Sequence, residues 1–103
     1  MYSINMTFSV IDRGILEELF NFSISDMKTV VELTRDDIFH NILNDKDGVD
    51  LALGLSLGNI HTSFIVGFRQ RKGRILDSGE RKELLGITLS KLPQLKEAIF
   101  QCG

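Results

Sequence analysis

The chain reads as an α+β fold: an antiparallel sheet of four to five strands with two to three helices packed mainly on one face. Three observations carry that expectation. Tyr2, Ile4, Met6, Phe8 and Val10 alternate with Ser3, Asn5, Thr7 and Ser9, the period-two signature of a half-buried strand. Leu51, Leu53, Leu55 and Leu57 alternate in the same way with Ala52, Gly54, Ser56 and Gly58. Between that run and "IHTSFIVGF" stands Gly58-Asn59, a two-residue hairpin signal with glycine where a positive φ is wanted.

Taken in order, the first strand ends at "DRG" (12–14), and "ILEELFNF" follows. Ile15, Leu16, Leu19 and Phe20 fall on one helical face, with Phe22 near the end and Asp12 as candidate N-cap. "TVVELT" is rich in β-branched residues and predicts a strand at 28–33, although Met27, Val30, Val31 and Thr34 also fit a helix. "TRDD" then looks like a fresh helix start, with Thr34 as N-cap and Asp36 and Asp37 in the electropositive first turn. That helix would bury Ile38, Phe39, Ile42 and Leu43 and end at "NDKDG".

The hairpin about Gly58-Asn59 sets Leu57 opposite Ile60, Leu55 opposite Thr62, Leu53 opposite Phe64 and Leu51 opposite Val66. This thick face is the expected core. Its reverse, with Ala52, Gly54, Ser56 and Ser63, is nearly flat: a solvated surface, a close backbone contact or a platform for a partner. "RQRKGR" is a basic turn, 85–89 a further strand, and Ser90 caps a last helix, "KLPQLKEAIFQ". Pro93 is tolerated in its first turn, and Leu92, Leu95, Ile99 and Phe100 are its apolar side.

The whole chain, 1–103, is expected to be a single domain. At 43% apolar and 25% charged residues, it can build a core without metal or disulfide staples. Cys102 is the lone cysteine, which rules out an internal disulfide and fits a reducing compartment. "MYSINMTFSV" does not read as a signal peptide. With no unbroken apolar run of 18 residues, no membrane span is expected, and the expected location is the cytoplasm.

Motifs for chemistry fail one after another. "DKDGVD" (45–50) lacks the glycine and glutamate spacing of a calcium loop. His40 and His61 are too few and too far apart for zinc. Cys102 and the Ser and Thr residues lack an elbow motif, and "GLSLGN" lacks the lysine of a phosphate loop. The expectation is a protein without catalytic residues, metal or cofactor.

Charge is more informative. Residues 1–68 hold four Lys and Arg against ten Asp and Glu, whereas 69–103 hold eight against four. An acidic surface steers toward basic clefts, such as those of toxins that cut nucleic acid. Small size, acidity and missing catalytic groups are shared by bacterial immunity and antitoxin-type proteins, so the expected partner is a cognate protein, a basic toxin domain. Asp36, Asp37, Asp45, Asp47 and Asp50 are the candidate contacts. The opposite possibility lies in Arg69, Arg71, Lys72, Arg74, Arg81 and Lys82, which could hold phosphates.

The C-terminal third, "SFIVGFRQRKGRILDSGERKELLGITLSKLPQLKEAI" (63–99), resembles the ending of the positive cofactor four family of transcriptional coactivators. Its elements would be "KGRILDSGERK", "GITL" and "LKEAI". The resemblance implies a strand, turn, strand and helix topology, and single-stranded nucleic acid held by those six basic residues.

Overall fold

Residues 7–35 and 48–102 are described by a computed structural model, and every regular element among them is an α-helix. They are α1 (Val10–Ser25), α2 (Met27–Thr34), α3 (Val49–Lys72) and α4 (Ser78–Gln101). The expected α+β architecture is overturned: no strand occurs among the described residues.

α1 and α2 are one rod broken at Asp26, whose N–H still donates to Phe22 O. The rod lies antiparallel to α3. Arg71 pairs with Asp12 at one end, Ser56 Oγ donates to Met27 Sδ midway, and Gly48 abuts Thr34 at the other. α4 returns parallel to α1, as Glu83 binds the backbone of Phe8 and Lys91 binds Glu17. The result is an up-down-up bundle.

Glycine is needed at two helix ends. Gly48 has φ +70° and a Cβ there would sit 3.3 Å from Thr34 Oγ1, so both space and conformation favour glycine,. Gly73 has φ +69° and closes α3 through its N–H to Arg69 O, the usual left-handed C-cap.

α3 shows why the strand expectation failed. Its buried residues are Ala52, Ser56, Ile60, Phe64 and Phe68, spaced by four, a spacing that stacks side chains on one helical face. Residues two apart are rotated by roughly 200° in a helix, so the four leucines cannot share a side. Leu51, Leu53 and Leu57 flank the buried column half-exposed, and Leu55 faces solvent. The expected core face and flat face are therefore both dissolved: Ala52 and Ser56 are core, while Gly54 and Ser63 are surface. By length and composition alone α3 could cross a membrane, with mean hydropathy 1.4 in its most apolar stretch, of which 28% is buried.

The column grades from small to large. Ala52 and Ser56 admit close approach of α2 around Met27, whereas Phe64 and Phe68 fill the wider end with Phe8. Leu16 and Phe20 of α1, Val31 of α2, and Leu84, Leu95 and Ile99 of α4 complete the core. Each such side chain contributes about 1.5–3 kcal/mol when fully buried.

Other expected elements fall as follows. The strand 2–10 is not formed where it can be seen, since Val10 opens α1 and Ser9 caps it by accepting from Asp12 N; residues 1–6 lie outside the described residues. The helix at 15–22 is part of α1, with Leu16 and Phe20 buried but Phe22 exposed. The strand at 28–33 is α2, and Thr34 ends that helix instead of capping the next. Ile38, Phe39, Ile42 and Leu43 lie outside the described residues. The strand at 85–89 and the helix after Ser90 are both interior α4, so Pro93 sits mid-helix and leaves the Leu89 carbonyl without its usual amide,. Leu95 and Ile99 are core as expected, and Phe100 is exposed.

A first test follows from Gly58. It lies mid-helix, exposed, with nothing within 4 Å of a built Cβ, and its φ is not positive. Gly58→Ala is expected to raise the unfolding free energy by about 0.5–1 kcal/mol, measured by urea denaturation. A hairpin glycine with positive φ would give the opposite sign.

Candidate functional site

At the end where α3 finishes and α4 begins, three carboxylates are buried: Asp12, Glu80 and Glu83, each no more than 3% exposed. Each is satisfied by specific partners. Asp12 takes Arg71 at 3.0 Å and Lys72 at 3.8 Å. Glu80 takes Arg74 through two contacts, 2.7 and 3.1 Å, and closes a capping box with Asp77. Glu83 accepts from Thr7 N at 2.9 Å and Phe8 N at 3.1 Å, with Arg13 at 3.9 Å.

The local sequence places them. Asp77 and Glu80 are three residues apart, the spacing at which each side chain reaches the other's backbone N–H. Asp12 is in the first turn of α1, where the helix dipole favours a negative charge,. Burial by itself would raise the Asp12 carboxyl, but hydrogen bonds from Ser9 and Arg71 and the charges of Lys72 and Arg71 outweigh it and hold the pKa low. The Arg74 hydrogen bond likewise holds Glu80 low against the effect of burial, and the same contact raises the Arg74 guanidinium.

The six basic candidates are brought together at this end, but four are already engaged. Arg71 and Lys72 serve Asp12, Arg74 serves Glu80 and lies 5.1 Å over the Phe68 ring, and Arg81 donates to Leu76 O. Arg69 and Lys82 are exposed. The segment 63–99 is helix, turn and helix, so the strand-containing topology that the resemblance implies is not the one formed.

The opposite end carries both signs: Lys28 pairs with Glu32, Arg35 donates to Cys102 O, and Lys96 is exposed. Asp50 stands exposed in the first turn of α3. Asp26 opens α2 and Glu97 lies near the end of α4, both exposed. None of the three forms an ion pair among the described residues. Thr34 and Gly48 meet at this end, and Asp36, Asp37, Asp45 and Asp47 fall between them in sequence, outside the described residues.

No cluster of three or more His, Cys, Asp or Glu able to hold a metal occurs among the described residues. His61 is half-buried against Thr88, with its pKa lowered by burial, and has no carboxylate orienting it. Sequence reading missed Glu83 altogether, because a contact 75 residues away leaves no local signature. Asp26 and Glu97 carry no site signal in the sequence; their exposure without an ion pair among the described residues is visible only in the fold. Comparison with known protein families, characterised proteins and solved structures found no match to this chain.

Proposed function

We propose that this protein is a non-catalytic, protein-binding inhibitor of the immunity or antitoxin type, acting in the cytoplasm by setting its exposed carboxylates into the basic cleft of a toxin, a nuclease in the first instance. The observation that supports it is the asymmetry of charge use. Cations at one end are largely tied to buried carboxylates, whereas the exposed Asp26, Asp50 and Glu97 have no ion pair among the described residues. Unpaired surface carboxylates accelerate encounter with a positively charged partner, and here they act against the exposed Arg35 and Lys96. Asp36, Asp37, Asp45 and Asp47 add carboxylates from the segment that joins α2 to α3.

The test uses the product of the gene adjacent to this one, purified with an inactivated toxin domain, and follows association by stopped flow. A tight one-to-one complex is expected. Asp26→Lys, Asp50→Lys and Glu97→Lys together are expected to slow association about tenfold and flatten its salt dependence. A modest fall in thermal midpoint is expected with it, because Asp26 accepts from Thr29 Oγ1 and Asp50 lies in the first turn of α3, where a cation opposes the helix dipole,. An unchanged on-rate would overturn the assignment of these carboxylates. Submicromolar binding of a single-stranded oligonucleotide at physiological salt, lost in Arg69→Ala with Lys82→Ala, would replace the inhibitor reading with nucleic-acid binding.

A further inference from the structure

The seam between α3 and α4 is open along its outer side. Ile65 on α3, Ile75 in the connecting loop and Leu85 on α4 are 39, 65 and 56% exposed. They rim a groove of about 310 Å³ with the buried Leu76 and Leu84 beneath. Single exposed apolar residues are ordinary, but three around one concavity mark a binding surface.

Two polar side chains line the same groove, His61 and Arg81. Thr88 Oγ1 donates its proton to Leu84 O at 2.8 Å. The 2.8 Å contact between His61 Nε2 and Thr88 Oγ1 is therefore one in which the ring donates,. This fixes the Nε2–H tautomer and leaves Nδ1 without a hydrogen-bond partner among the described residues. Arg81 uses one N–H on Leu76 O at 3.1 Å and forms no ion pair among the described residues.

An aliphatic concavity with one guanidinium that forms no ion pair among the described residues is complementary in charge and polarity to a molecule with an apolar body and a single carboxylate. The Nδ1 lone pair can only accept and adds nothing to that match. At roughly 30 Å³ for a water-sized group, the groove holds about ten such groups, enough for a medium-chain alkanoate and too little for a helix. The geometry points to a binding site for a medium-chain aliphatic carboxylate, its chain against Ile65, Ile75 and Leu85 and its head group on Arg81. The site is at the other end of the bundle from Asp50, so it stands or falls independently of the inhibitor reading.

Decanoate titrated into isotope-labelled protein tests it, with decanol and decylammonium as comparisons. Decanoate is expected to shift the His61 ring and the Ile75 and Leu85 methyl signals saturably below millimolar concentration. Decanol and decylammonium are expected to bind at least about tenfold more weakly, as loss of a charged hydrogen bond implies. Arg81→Gln is expected to weaken decanoate about tenfold. Leu85→Glu, an exposed helical substitution that leaves the circular dichroism spectrum intact, is expected to abolish it. Unmoved signals at millimolar decanoate, equal binding of decanol, or full affinity in either variant would overturn the site. So would self-association of the wild type that Leu85→Glu abolishes, since the occupant would then be a second copy.

Discussion

Phe64→Ala is expected to lower the unfolding free energy by about 3–5 kcal/mol, the cost of removing a buried aromatic ring and leaving a cavity. Phe64 is fully buried. It meets the Phe8 ring edge-on at 5.1 Å and the Phe68 ring at 6.2 Å, contacts that add to its area term. The neighbours cannot close the gap easily, because Phe8 is held in place by its N–H to Glu83 and Phe68 by Arg74 above it. Since a small domain has about 5–15 kcal/mol in all, the variant should melt far below the parent. Phe22→Ala and Phe100→Ala, both at exposed positions, should change stability by less than about 0.5 kcal/mol. Urea denaturation of the three proteins separates the cases, and equal losses would disprove the packing described.

Acid should unfold the protein through the buried carboxylates. Asp12 and Glu80 have folded pKa values below their ordinary 3.8 and 4.5. Their contribution is therefore complete above those ordinary values and is lost as pH falls through the lowered ones. Unfolding free energy measured from pH 7 downward should hold level until about pH 5 and then drop steeply. Protonation at Asp12 frees Arg71 and Lys72, and at Glu80 it weakens the Arg74 pair and the cap of α4 together. Asp12→Asn should start lower at neutral pH and show a shallower acid limb. A wild-type curve that stays level to pH 2 would mean these pairs add nothing.

The sequence disclosed pieces of this fold and misled on its class for a physical reason. α1 was legible from Leu16 and Phe20, and the end of α4 from Leu95 and Ile99, because their apolar residues recur at helical spacing. In α3 two periods coexist. The leucines at 51, 53, 55 and 57 recur in twos, while Ala52, Ser56, Ile60, Phe64 and Phe68 recur in fours. The second period runs over a longer span but begins with two small residues that do not stand out as core. Gly54 and Gly58 reinforced the shorter period, since both are unfavourable inside a helix. Asp77 and Glu80 carried a readable capping signal for the true start of α4, which the apparent strand at 85–89 overrode. Of the candidate site, the charge asymmetry could be read directly, but the pairing that neutralises Arg71, Lys72 and Arg74 needed the fold.

The hold of Glu83 on Thr7 and Phe8 joins residues 75 and 76 positions apart. Most of the bundle can assemble from neighbours: α3 and α4 are linked by a short turn, and α1 runs almost directly into α2. This contact, like that of Lys91 with Glu17, 74 positions apart, closes most of the chain, and the entropy of closure rises with the logarithm of the enclosed length. The N-terminal segment should therefore dock last during folding and detach first during unfolding. A native-state opening in which only Thr7 and Phe8 leave would uncover the Phe64 and Phe68 rings without melting the helices. Amide exchange would register it as early loss of protection at Thr7 and Phe8 together, ahead of the slow global exchange of α3,.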